Sequence, residues 1–454
     1  MLKKKIHFNA FEMNTVNHMA HGLWAHPDDK RVEYKTADYW IELAKLLERG
    51  LFDAIFLADI GGVYEPYEGD YKAAVKRGMQ SPINDPFINV GLMLGVTQHL
   101  GFAVSASTSY EDPYNLARRF STIDHLSNGR VAWNVVTSAL SSAALNHGHD
   151  SIIPHDKRYE IADEFLEVCY KLWENSWEES AVQIDRKNHI YTDPDKVHTI
   201  DHDGQYFKVR GPHSCEPSIQ RTPVIFQAGS SETGKKFAAK HAEGVFIGGQ
   251  EPEKIHELVK NIRSLASKNG RLENEIKLFG SLTIIVGETE DEVEAKLEDL
   301  NKYFLPEASF IQFSGSTGID LGQLQDDQIF GERHTEGNQS TAQLYNHKKS
   351  YTVGDVKKEL SKFAARTILI TGTPQQVADK IEALIDYTDL DGFNVYQAIT
   401  PATLTDVVDL VIPELQKRGR YRTAYDDTSF RDRLFNTGNR ISKNHIATSQ
   451  QIGN

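Results

Sequence analysis

Residues 101–136 read GFAVSASTSYEDPYNLARRFSTIDHLSNGRVAWNVV, and the organisation of the whole chain is visible in that stretch. Gly101-Phe102-Ala103-Val104-Ser105-Ala106 is a short apolar run, residues 114–125 carry apolar side chains at helical spacing, and residues 131–136 form a second apolar run. Two such runs around one amphipathic helix imply parallel strands joined by a crossover helix. The unit recurs outward in both directions. Strands are predicted at 6–11, 52–57, 101–106, 131–136, 224–228, 244–247, 278–286 and 392–396. Helices are predicted at 39–49, 87–97, 114–125, 159–173, 232–241, 252–268, 289–301, 374–387 and 404–418. Eight strands with interleaved helices favour a closed (β/α)8 TIM barrel over an open doubly wound sheet, which needs about six.

The expected layout is a single barrel domain over residues 1–420 and a C-terminal extension over 421–454, with insertions at about 60–85, 175–222 and 304–366. The first insertion looks like a long loop after the second strand, and Asp193-Pro194-Asp195 and Asp203-Gly204 mark hairpin turns in the second. The third mixes Gly, Ser, Asp and Gln with little periodicity, as lids and mobile segments do. The polar extension is expected to cross onto a partner subunit or to stay partly disordered.

Composition narrows the function. The 454 residues are 39% hydrophobic and carry a net charge of -14, with no basic block beyond Lys3-Lys4-Lys5. A nucleic acid or anionic membrane partner needs a positive footprint, so neither is expected. No apolar run approaches the roughly 18 residues of a membrane span, and a cytoplasmic protein is the expectation. Cys169 and Cys215 lack CxxC spacing, which leaves no disulfide framework or structural zinc site.

Barrel chemistry sits at the C-terminal ends of the strands. There the chain offers Asp59, Thr108, Asn134, Ser138 and the run Gln227-Ala228-Gly229-Ser230-Ser231. The last leads into a helix, so free backbone N–H groups, two hydroxyls and a positive helix end meet in an anion site. An ordinary serine N-cap beside a glycine turn accounts for the same residues, and Glu232 counts against a phosphate. Residues 229–236 fall one residue short of a Walker loop, because Lys236 replaces the magnesium-binding hydroxyl. No GxGxxG follows a strand, so a phosphate here fits a mononucleotide such as FMN better than a dinucleotide. His18, His21 and His26 crowd the first loop without the spacing of a metal site. His155 and Tyr159 open a helix where they either converge on a ligand or simply pack, and Asp59 is either satisfied by backbone or reads a ligand. No Gly-x-Ser-x-Gly elbow is present.

These residues resemble the bacterial luciferase-like flavin monooxygenases, in the branch that holds nitrilotriacetate monooxygenase component A, dibenzothiophene-sulfone monooxygenase and long-chain alkane monooxygenase. Its carriers are residues 52–59 (FDAIFLAD), 124–138 (DHLSNGRVAWNVVTS), 155–163 and 226–232 (FQAGSSE). The resemblance implies that Asp59, Thr108 and Asn134 surround an isoalloxazine, with Ser138, His155 and Tyr159 in the same pocket. It places the FMN phosphate on Ala228, Gly229, Ser230 and Ser231. His18 and Tyr64 become the catalytic candidates, His18 because an unperturbed imidazole titrates near neutrality, and Phe11, Thr15, Phe56, Phe246 and Gln312 the substrate wall. Thr15 and Gln312 stand where the alkane-oxidising relatives are expected to have Cys and His, which puts the substrate in doubt.

The implied reaction uses FMNH2 from a separate NAD(P)H-dependent reductase and O2 as co-substrate. One oxygen atom enters a long-chain alkane, an organosulfur compound or an aminopolycarboxylate, and the other leaves as water. A homodimer or homotetramer is implied. The competing readings are a deazaflavin-dependent oxidoreductase and a metal-dependent barrel hydrolase.

Overall fold

Eight parallel strands close into a ring in chain order: His7–Met13, Ala54–Ala58, Gly101–Ser107, Val131–Val136, Val224–Gln227, Gly244–Ile247, Lys277–Val286 and Gly392–Tyr396. The first pairs with the eighth through His7↔Gly392 to Ala10↔Val395, which seals the barrel. The computed structural model describes residues 4–346, 350–426 and 428–450; Lys3, part of the 304–366 insertion and the last four residues lie outside them.

Period-two alternation divides the strand side chains between two packed layers. Phe8, Ile55, Phe102, Val104, Trp133, Ile225 and Val245 point outward into the layer beneath the helices. Phe11, Ala54, Phe56, Ala103, Ala132, Val224, Phe226 and Phe279 point inward. The helices begin where their caps allow. Thr36 accepts the N–H of Tyr39 to start Ala37–Arg49, and Asp112 accepts that of Asn115 to start Pro113–Ser127. The latter ends on Asn128, left-handed at φ 54°.

Three regions differ from the sequence reading. Residues 304–366 are regular, with helices Pro306–Thr317, Gln339–Asn346 and Val353–Leu360 around a small core of Phe313, Leu321, Phe330, Tyr345 and Val356. A ninth strand, Ile368–Gly372, follows them and extends the seventh through Leu282↔Ile368 to Val286↔Gly372. The C-terminal segment packs on its own barrel: helix Phe430–Phe435 pushes Phe430, Leu434 and Phe435 into the inward cluster at the N-terminal end. There Phe430 N–H bonds Gly129 O at 2.8 Å, and Arg431 forms a buried pair with Glu243 at 2.7 and 2.9 Å. The second insertion does bear hairpins, one at the Asp203-Gly204 signal, His202–Asp203 with Lys208–Val209, and another, Val182–Asp185 with Ile190–Thr192, whereas Asp193-Pro194-Asp195 opens a short 3-10 turn instead. No helix among the described residues is long and apolar enough to cross a membrane.

Candidate active site

With its floor filled, the barrel opens at the other end, into two adjoining cavities of about 290 and 470 Å3. They share Asp59, Ile60, Gly61, Val136 and Ser138. The first continues to His155, Arg158, Tyr159 and the run 227–231. In that run the serine N-cap is present, and the Gly229 N–H is taken by Gln227 Oε1 at 3.0 Å. Ser231 caps helix Glu232–His241 by accepting the N–H of Gly234 at 3.0 Å, and its hydroxyl lies 3.3 Å from His155 Nε2. Burial pushes the Tyr159 phenol up, and the neighbouring Ser231, Arg158 and Thr137 oppose this. Gly229 and Gly234 make room for the phenol: a Cβ at either would lie 2.8 Å from its hydroxyl.

Asp59 ends the second strand half-buried. Burial pushes its carboxyl up to about 7; the Ile60 backbone N–H opposes this, while Asp85 and Glu111 add to the rise. Ser138, left-handed at φ 45°, donates to Ser107 Oγ at 2.8 Å. Asn134 faces the interior one layer lower, donating to Ser105 Oγ at 2.7 Å while its Oδ1 has no partner. Thr108 does not reach either cavity. Its N–H and hydroxyl both turn to Val136 O, because the short link after the third strand is spent holding the fourth.

The substrate-wall candidates gather around Phe11. Its ring stacks on His18 at 4.8 Å, on Phe56 at 5.2 Å and on Phe246 at 5.5 Å, with Tyr396 at 4.7 Å. Phe56 is 1% exposed and meets Phe226 edge-on, so it forms the floor under this box rather than the mouth. Burial drives the pKa of His18 down to about 3, helped by Arg31, His21 and Arg366. The near-neutral titration expected of this histidine therefore does not hold; its imidazole stays neutral and resists protonation. Tyr64 donates to Gln80 at 2.7 Å, and burial raises its pKa to about 12. Gln312 accepts from His21 Nε2 at 2.9 Å and donates to His18 O at 3.3 Å, while Thr15 is tied to Pro82 O at 2.6 Å.

Residues 18–389 match the luciferase-like monooxygenase family. The chain belongs to that family. It is 49% identical to the long-chain alkane monooxygenase of Geobacillus thermodenitrificans (strain NG80-2), covering 98% of each chain. It is 45% identical to the dimethyl-sulfide monooxygenase of Hyphomicrobium sulfonivorans, over 98% of this chain and 94% of that one. A riboflavin lyase crystallised with modified FMN and riboflavin superposes with a TM-score of 0.94 at 36% identity, covering 99% of this chain and 100% of the other. The luciferase-like barrel is thus a monooxygenase. Sequence reasoning left out Gly337, Asn338, Gln339 and Ser340, which also line the first cavity. Asn338 accepting the N–H of Thr341 is an N-cap, a pattern legible in Asn-x-x-Thr although not its place in space.

Proposed function

We propose that this chain is the oxygenating component of a two-component system, binding FMNH2 made by a separate NAD(P)H-dependent reductase. The observation that carries this reading is the capped-helix anion cradle opening directly into the cavity at Asp59. The residues fit the cofactor: glycines leave the cradle open, Arg158 keeps a buried Nε without a partner, and Asn134 keeps an unpaired oxygen. Ser230, Ser231, Tyr159 and the N–H group at Ala228 would hold its phosphate, with Asp59 and Ser138 beside the ring and Asn134 one layer beneath it. When bound, FMNH2 supplies the electrons that activate O2.

The chain's own residues supply position, dryness and a proton. Phe11, Phe246 and Tyr396 exclude water from the reacting volume. His18 stays neutral and serves as a hydrogen-bonding group against the box, while Asp59, titrating near 7, holds or releases a proton at the cofactor's edge. The aromatic box with Met19 packed against it favours an apolar or organosulfur substrate, the chemistry named for both relatives above. A cytoplasmic homo-oligomer completes the proposal. Ile88 is 70% exposed and shares its helix face with exposed Leu92, Gly91 and Gly95, a surface on which a second copy would pack.

Anaerobic titration with FMNH2, followed by 18O2 and a panel of alkanes and thioethers, tests the reading. Saturable binding and one 18O atom per product support it. Absence of FMNH2 binding refutes it and returns the deazaflavin and hydrolase readings.

A further inference from the structure

The first cavity has a roof as well as a floor. Opposite the cradle stand Gly337, Asn338, Gln339 and Ser340, at the start of helix Gln339–Asn346. Asn338 accepts the Ser340 hydroxyl at 2.8 Å and the Thr341 N–H at 3.0 Å. Two helix N-termini therefore face one cavity from opposite sides. Between them lies Arg158, 1% exposed. Its guanidinium donates to Ile153 O at 2.5 Å and to Glu336 O at 2.8 Å, its Nε has no partner, and no carboxylate among the described residues lies within ion-pair distance. A buried cation satisfied only by carbonyls awaits an anion. The roof is also latched to the same helix that bears Arg158, because the Glu336 carboxylate accepts the His155 N–H at 2.7 Å.

The roof is in turn joined to the substrate box. Asn338 N–H donates to Ser316 O at 2.8 Å, and the Thr335 hydroxyl donates to Thr317 O. A Cβ at Gly337 would lie 2.7 Å from Ser316 O and 2.9 Å from Thr317 O, so the loop and the end of helix Pro306–Thr317 are in close register. That helix carries Gln312, bonded to His21 and His18 O, and Gly315, whose missing side chain leaves room for the Tyr64 ring. One helix thus bonds the roof loop of the anion cavity at its C-terminal end and contacts the proposed catalytic residues at its middle.

We infer that Arg158 and the 337–340 roof form the second half of the FMN phosphate site, and that filling this site sets the substrate box through helix Pro306–Thr317. The inference rests on the flavin reading. The phosphate acts as a reporter of cofactor occupancy: the box reaches its closed geometry only when the tail of the cofactor, as well as its ring, is in place.

Hydrogen–deuterium exchange of the full chain with oxidised FMN, with riboflavin, and with riboflavin plus inorganic phosphate tests this directly. FMN is expected to slow exchange in both 335–342 and 308–316, riboflavin in neither, and added phosphate to restore part of the effect. Arg158→Gln should weaken FMN about tenfold, or ~1.4 kcal/mol, leave riboflavin affinity unchanged and abolish both protections. Asn338→Ala, a half-buried position whose loss leaves the barrel intact, should weaken FMN severalfold and diminish protection at 335–342. Equal protection by riboflavin and FMN, or protection confined to residues 228–234, overturns the inference while the flavin reading stands. Binding of neither flavin overturns both.

Discussion

Asp53 and Asp59 bracket the five residues of the second strand and have opposite fates. Asp53, at the barrel floor, is fully buried and saturated: it accepts the Phe8 N–H at 3.1 Å and is paired with His7 and Arg422. Its burial would raise its pKa, yet Arg422 and His7 outweigh burial and hold the carboxyl below the usual range. Asp59, at the mouth, has no such cation and is pushed up to about 7. The same residue type serves stability where every partner is present and chemistry where partners are withheld.

The difference is broken most severely at the floor. Asp53→Ala leaves Arg422 buried without its partner and should cost about 3–5 kcal/mol in a denaturant titration, with FMN affinity of the folded protein unchanged. A mouth substitution should do the reverse. Gly229→Ala drives a methyl toward the Tyr159 hydroxyl and should weaken FMN about tenfold, ~1.4 kcal/mol, with little change in melting temperature.

The two aspartates also part in pH dependence. Asp59 folded holds its proton up to about 7 while its unfolded counterpart loses it near 3.8, so its contribution to stability falls as pH rises through that window. Asp59→Asn should therefore gain melting temperature over the parent as pH goes from about 4 to about 7, whereas the stabilisation from Asp53 is lost only as pH falls. The smallest effect is expected from Tyr64→Phe, which removes the bond to Gln80 at about 1 kcal/mol and should lower the unfolding midpoint slightly in a denaturant titration.

Much of the floor-to-mouth axis was legible in the residues. The eight strands were readable because each is a short apolar run whose inward and outward faces are both buried, and Ser231 announced the cap of helix Glu232–His241 because cap chemistry is local. Strand Ile368–Gly372 was not, since it is half-exposed and extends only the seventh strand. Helix Pro306–Thr317 is buried on nearly every side, at Ser309, Gln312, Ser314 and Thr317 as much as at Ile311 and Phe313, and so shows no amphipathic period. The floor plug was hidden by its neighbours: Phe430, Leu434 and Phe435 are scattered among arginines and asparagines, and only their distant partners give them a role. His18 kept its identity as a candidate but lost its expected titration, because burial is a property of the fold and not of the imidazole.

The joining of Gly129 to Phe430 has a consequence for how the protein comes into being. Sealing the floor unites residues separated by about 300 positions, a closure of the kind that slows folding. Until the later segment is synthesised and docks, nascent chains hold a ring of alanines and phenylalanines open to water, which makes them natural clients of chaperones and vulnerable to association with one another at high expression.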